Sequence, residues 1–213
     1  MKKLFAVVLA LCLLCGAAVA EASPRILIAY VSRAGENYNV GVTDPDSASA
    51  AYAGYIEKGN TQIVAEIIAD LTGGDLYHIT TVEPYPDDYA SMLTRAREEL
   101  DADARPELAG ELPNLDDYDV IMIGYPIWHG ATPRPVLTFL ERYDLSGKAL
   151  IPFNTHEGSG QGGTVSEIAA SAPGAELLEG IAIQGRTVQE DAGRTRALLA
   201  DWLAGIGLID RQD

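Results

Sequence analysis

Apolar and polar positions along this chain fall into alternating blocks of two kinds. Ile26–Val31 is a continuous apolar run, the pattern of a strand buried on both faces. Asn60-Thr61 then opens a segment in which Ile63, Val64, Ile67, Ile68 and Leu71 recur at helical spacing, closed by Thr72-Gly73-Gly74. Leu76–Ile79 predicts a second strand, and Asp87-Asp88 lead a helix that reaches Leu100. Val120–Gly124 is a third buried strand, followed by a helix over Pro133–Tyr143 carrying Val136, Leu137, Phe139 and Leu140. Leu150–Phe153 predicts a fourth strand, Gly163–Ala170 a short helix and Leu177–Ile183 a fifth strand. A closing helix runs from Asp191 to Ile206, with Leu198, Leu199, Trp202, Leu203 and Ile206 as a packing stripe.

Five strands with helices between them predict an α/β fold, a doubly wound parallel sheet with helices on both faces. In such sheets the ligand sits beyond the carboxyl ends of the strands, where the strand order reverses. The loops after strands one, three and four are therefore where function is expected. No internal repeat or linker divides the domain.

The first twenty residues read differently. Lys2 and Lys3 precede an apolar run, Leu4–Cys15, that is shorter than the roughly 20 residues a spanning helix needs. Ala18-Val19-Ala20 then supplies small residues for cleavage before Glu21. Residues 1–20 are expected to be a secretory signal, and residues 21–213 a single exported domain, periplasmic or extracellular. There is no twin-Arg pair. Cys15 follows Leu13-Leu14, a poor match to the small residues that precede a lipidated cysteine, so membrane attachment through an uncleaved or lipidated N-terminus is not the expectation.

Removing that leader changes the composition. The chain has 213 residues, 47% of them hydrophobic, and a formal charge of -16. Without residues 1–20 it has 193 residues, no cysteine, because Cys12 and Cys15 leave, and a charge of -18. Thiol nucleophiles, disulfides and Cys-ligated metals are excluded from the exported domain. The acidic balance excludes nucleic acid and suits a basic partner, or serves to keep copies apart. His78, His129 and His156 are the only histidines, and His156-Glu157 lacks a second histidine at helical spacing, so no metal site is expected.

Three loops carry candidate chemistry. After strand one comes Ser32-Arg33-Ala34-Gly35-Glu36-Asn37 and then a long polar stretch, Tyr38–Gly59. The next helix opens with Gly59-Asn60-Thr61. Free N–H groups there, with the Ser32 and Thr61 hydroxyls, make an anion seat; the same residues also serve simple capping. After strand three stand Tyr125-Pro126-Ile127-Trp128-His129-Gly130, whose aromatics suit stacking on a flat ring, unless Trp128 plugs the core. After strand four comes the glycine-rich Asn154–Thr164 loop, flexible enough for backbone to approach a ligand closely.

Taken in order, Ser32-Arg33, Gly59-Asn60-Thr61, Tyr125-Pro126-Ile127-Trp128 and Thr155-His156-Glu157-Gly158-Ser159-Gly160 resemble the flavodoxin family across essentially the whole mature chain. The resemblance implies a five-stranded parallel sheet of order 2-1-3-4-5 with flavin mononucleotide (FMN) at its switch point. It implies that Ser32, Asn60 and Thr61 hold the phosphate, with Arg33 beside them. Tyr125, Pro126, Ile127, Trp128 and His129 would line one side of the ring, and Thr155, His156, Glu157, Gly158, Ser159 and Gly160 the other. The family's phosphate loop is contiguous, whereas here residues 35–58 separate its two halves as an insertion. The resemblance further implies electron transfer, or flavin-dependent reduction of a quinone-like acceptor, outside the cytoplasm; the alternative is a flavin-free binding module that keeps the fold. The redox partner would be a protein of basic character or a small acceptor. A receiver domain wants an Asp where Gly124-Tyr125 stands, and Ser159 between two adjacent glycines is not a hydrolase elbow.

Overall fold

The structure is a computed structural model that describes residues 23–36 and 55–211. The expected leader with both cysteines, and residues 37–54 of the long first loop, lie outside the described residues. The elements are β1 (Ile26–Tyr30), β2 (Gly35–Glu36), β3 (Tyr55–Ile56), α1 (Asn60–Thr72), β4 (Asp75–His78), α2 (Tyr89–Asp101), β5 (Val120–Pro126), α3 (Arg134–Glu141), β6 (Ala149–His156), α4 (Thr164–Ser171), β7 (Glu176–Leu177), β8 (Ile181–Gln184), α5 (Gly185–Glu190) and α6 (Ala192–Gly205).

The main sheet runs β4-β1-β5-β6 and ends on two short strands, β7 and β8, which both pair with β6 in parallel. This is the order 2-1-3-4-5, with the fifth position filled by two pieces. The predicted single strand Leu177–Ile183 is thus broken. Leu150 faces Leu177 and Phe153 faces Ile181, so two residues of β6 stand opposite three of the edge strand. Pro152 lies at the break. It has no N–H for the ladder, and its carbonyl oxygen would be 2.2 Å from a Cβ at Gly180.

Period-two alternation assigns the strand side chains to two cores. Leu27, Ala29, Ile121, Ile123 and Tyr125 pack against Met92 and Ala96 of α2, Val136, Phe139 and Leu140 of α3, and Ile168 of α4. Ile26, Ile28, Tyr30, Met122, Ile151 and Phe153 pack on the opposite face with Val64, Ala65 and Ile68 of α1 and Leu199 and Leu203 of α6. Helices therefore cover both faces. Each fully buried Leu, Ile or Phe contributes about 1.5–3 kcal/mol. Gly124 keeps the second face closed in a different way: a Cβ there would stand 2.2 Å from the Phe153 ring, which crosses over it.

Helix ends follow their local chemistry. Asp88 accepts from the Ser91 N–H at 2.7 Å and starts α2; Asp191 accepts from Arg194 N–H at 2.8 Å and starts α6. Gly73, at φ 71°, ends α1 by donating to the Ala69 carbonyl. α1, like α3, α4 and α5, starts without a cap from the side chain of its own N-cap residue, here Gly59. No helix among the described residues is long and apolar enough to cross a membrane.

Candidate functional site at the carboxyl edge of the sheet

The chain leaves β1 at Tyr30 and reaches Ser32. Immediately beyond, β2 and β3 pair antiparallel, Gly35 opposite Ile56 and Glu36 opposite Tyr55. This short ladder returns the chain so that Gly59 lies buried against Ser32 and Arg33. A Cβ on Gly59 would be 2.2 Å from Ser32 Oγ and 2.4 Å from the Arg33 carbonyl oxygen. Ser32 Oγ accepts from the Gln62 N–H at 3.1 Å, so a side chain from the strand-one loop reaches into the first turn of α1. Two segments far apart in sequence thus build one helix-start seat.

The other predicted residues of this seat divide. Thr61 points inward: its hydroxyl is 2.8 Å from that of Thr155, and both residues are buried. That contact ties the start of α1 to the carboxyl end of β6. Asn60 instead turns toward α5, where its Oδ1 accepts from Gln189 Nε2 at 2.6 Å; the same amide donates to the Lys58 carbonyl at 3.2 Å. The Arg33 guanidinium reaches away from the seat and donates to the Pro86 and Asp87 carbonyls ahead of α2. Sequence reasoning missed α5 and Gln189, because six residues are too few to show a helical period; the Gly185 that begins α5 was the available signal.

The loop after β5 is a tight turn. Ile127 N–H still donates to the Thr155 carbonyl at 3.0 Å, extending the pairing with β6. Trp128 and Ala131 exchange backbone hydrogen bonds around His129 and Gly130, which sit at φ 51° and 76°. Two central residues at positive φ are the mark of a type I′ turn, comfortable for Gly and strained by about 1 kcal/mol or more for His. The His129 ring nitrogen, 2.8 Å from the Leu93 carbonyl, holds that geometry. Tyr125 is fully buried with its hydroxyl 2.9 Å from Thr164 Oγ1, and burial pushes its phenol up to about 12. Trp128 is only 9% exposed and meets the Tyr85 ring edge-on, at 4.8 Å and 62°. Arg95 lies over the same Tyr85 ring at 4.1 Å. The core-plug role weighed for Trp128 is therefore present in the structure, and Tyr85 and Arg95 are its unforeseen supports. Pro126 and Ile127 are partly exposed at the rim.

The loop after β6 is pinned at two points. Asn154 Nδ2 donates to the Gly160 carbonyl at 3.0 Å, and His156 Nδ1 accepts from the Gly158 N–H at 2.9 Å. Gly158 and Ser159 are exposed at its tip. Gly162, at φ 54°, passes so close to Gly130 that a Cβ would be 3.0 Å from its carbonyl oxygen, which sets the two loops side by side. Glu157 is the surprise: both carboxylate oxygens are closed off from solvent without a hydrogen bond of normal geometry, and burial pushes the carboxyl above its ordinary range. His78 is on β4, stacked on Tyr30 at 4.8 Å, apart from the other histidines. Among the described residues no group of His, Asp and Glu is arranged to hold a metal ion.

Thr61→Val tests the join between α1 and β6. It leaves the buried Thr155 hydroxyl without its partner and is expected to cost about 1–3 kcal/mol, read as a lower urea midpoint. Thr61→Ser keeps the hydroxyl and should retain most of that stability; equal losses in the two variants would remove the hydrogen bond as the cause.

Comparisons with known proteins bear on the fold and the family. A comparison with curated proteins gave no match. Among solved structures, a Bacteroides uniformis protein named as a flavoprotein is 26% identical, with a TM-score of 0.63, over 85% of this chain and 99% of that one. A similarly named Bacteroides eggerthii protein is 27% identical, with a TM-score of 0.61, over 86% of this chain and 98% of that one. A Lactobacillus acidophilus flavoprotein in complex with FMN shares the fold at 20% identity and a TM-score of 0.54, over 80% of this chain and 99% of that one. The family model for flavodoxin matches residues 49–203. That match runs from ahead of α1 into α6, over well more than half of the chain, and the chain accordingly belongs to the flavodoxin family.

Proposed function

We propose that this protein is an FMN-binding redox protein that works outside the cytoplasm, exchanging electrons with a basic partner protein or a small quinone-like acceptor. The observation that carries the reading is the start of α1. Its N-cap is Gly59, and Ser32 and Arg33 close around that residue while Ser32 Oγ accepts from the Gln62 N–H. Ser32 takes only the Gln62 N–H; the N–H groups of Asn60 and Thr61 ahead of it, at the positive end of the helix dipole, suit a phosphate without requiring a cation. The close approach of Gly59 to Ser32 is a cradle that any larger residue would fill. Family membership and the FMN complex of the Lactobacillus acidophilus protein support FMN as the cofactor.

When bound, FMN supplies one-electron and hydride chemistry that no side chain of this thiol-free domain offers. The chain's own residues bind and orient it. Ser32 and the backbone N–H groups of Asn60 and Thr61 would hold the phosphate, the His129-Gly130 turn and the glycine-rich loop after β6 would flank the ring, and buried Trp128 would support that turn. Export is supported by the pattern of residues 1–20, and a basic partner by the acidic balance of the rest.

Titrating FMN into the purified protein is expected to give a bound yellow chromophore with quenched flavin fluorescence. No bound chromophore and no measurable affinity would leave the flavin-free binding module as the better reading. Offering the loaded protein a nicotinamide nucleotide and a quinone then separates enzyme from carrier: turnover marks a reductase, and its absence with both nucleotides marks a carrier.

A further inference from the structure

Glu157 sits where the loop after β6 meets the first turn of α1. Gly185, the first residue of α5, admits it: a Cβ there would stand 2.4 Å from Glu157 Oε1 and 2.2 Å from Asn60 Nδ2. The carboxyl and the Asn60 amide therefore crowd the same point, and Asn60 Oδ1 is already taken by Gln189. Neither Glu157 oxygen has a hydrogen bond of normal geometry or access to solvent. The charged and polar groups facing it come from the end of β8 and from α5. Gln184 and the N–H and guanidinium of Arg186 favour the charged carboxylate, whereas Glu190 disfavours it, and burial outweighs the favourable groups. His156 precedes it in its own loop.

We propose that Glu157 carries a proton when the site holds FMN, so that taking up FMN is linked to taking up one proton at this carboxyl. The inference rests on the FMN reading above. Its physical basis is charge and hydrogen-bond capacity. A phosphate beside Asn60 adds negative charge next to a carboxyl that already lacks solvent, and a like charge disfavours ionisation further. A protonated carboxyl can donate to an acceptor, whereas an ionised one can only accept. Glu157 is thus a positioning residue whose protonation state sets how well the site tolerates an anionic ligand.

The test compares the protein with its Glu157→Gln variant, which keeps the shape and cannot ionise. FMN is titrated into both between pH 5 and pH 9, followed by flavin fluorescence. The ratio of wild-type to variant affinity is expected to fall about tenfold per pH unit over the range in which the carboxyl ionises. Titration of the ligand's phosphate and of His156 is common to both proteins and cancels in the ratio. A flat ratio with tight binding overturns the inference alone. No FMN binding by either folded protein overturns the FMN reading and the inference with it. Urea unfolding without ligand supplies a second readout. The folded wild type holds this proton more tightly than its unfolded chain does, so its stability falls relative to the variant as pH rises above the ordinary glutamate range. A difference that stays constant with pH would show that the carboxyl ionises normally, and would sink the proposal.

Discussion

Trp128→Ala is expected to lower stability by about 3–5 kcal/mol, the range for removing a large aromatic from a packed core. Trp128 is 9% exposed and belongs to the core on the α2–α4 face. Its edge rests on Tyr85, itself held by Arg95 over the ring and by its hydroxyl to Glu99. The surroundings can collapse only partly into the space vacated, so the cavity term adds to the lost transfer energy. The same substitution undermines the His129-Gly130 turn and should weaken FMN binding. Trp202→Ala is the comparison. Trp202 is partly exposed on α6 and donates to the Glu179 carbonyl at 3.2 Å, so its loss should cost less and leave FMN affinity nearly unchanged. Urea midpoints and FMN titrations on both variants decide the matter. Equal stability losses would reject the core-plug role, and equal FMN affinities would reject Trp128 as a support of the ring wall.

Gly59→Ala should do comparable damage at the other side of the site. The added methyl carbon would stand 2.2 Å from Ser32 Oγ, 2.4 Å from the Arg33 carbonyl oxygen and 2.9 Å from its carbonyl carbon. Ser32 could rotate away only by giving up the Gln62 N–H, and the Arg33 backbone cannot rotate away at all. The first turn of α1 must therefore shift. Overpacking of this kind costs about 1–3 kcal/mol. The larger effect falls on FMN, because the displaced N–H groups no longer converge: a loss of more than about 1.4 kcal/mol, or tenfold in affinity, is expected. Gly205→Ala is the control. It lies in α6 with nothing within 4 Å of an added Cβ, and should stabilise by about 0.4–1 kcal/mol. Unchanged FMN affinity in Gly59→Ala would remove the seat from the FMN site.

The sheet was legible in the sequence because each central strand is a run of apolar residues buried on both faces. Ile26–Tyr30 has no polar side to hide, and its alternate residues go to different cores. Helix starts at Asp88 and Asp191 were legible because their caps are local. The break between β7 and β8 was not, because its cause is a proline in a neighbouring strand, and no window along Leu177–Ile183 contains it. The β2–β3 pair was missed because two residues on each side carry no periodicity. At the site, residue types singled out three loops, and orientation was the part that local patterns do not contain. Arg33 and Asn60 are turned by carbonyls and an amide more than fifty residues distant, and the enclosure of Glu157 depends on the absence of a side chain at Gly185.

The small β2–β3 ladder bears on how this chain can vary. Once the two strands meet, the distance between Ser32 and Gly59 is fixed by the ladder, whatever the number of residues between its ends. The entropy of closing such a segment grows only with the logarithm of its length, roughly 0.6 kcal/mol for each doubling. Residues could be added or removed beyond the ladder while Ser32 and Gly59 keep their places, so that this neck makes the segment a place where new sequence can be tried at little thermodynamic risk to the start of α1.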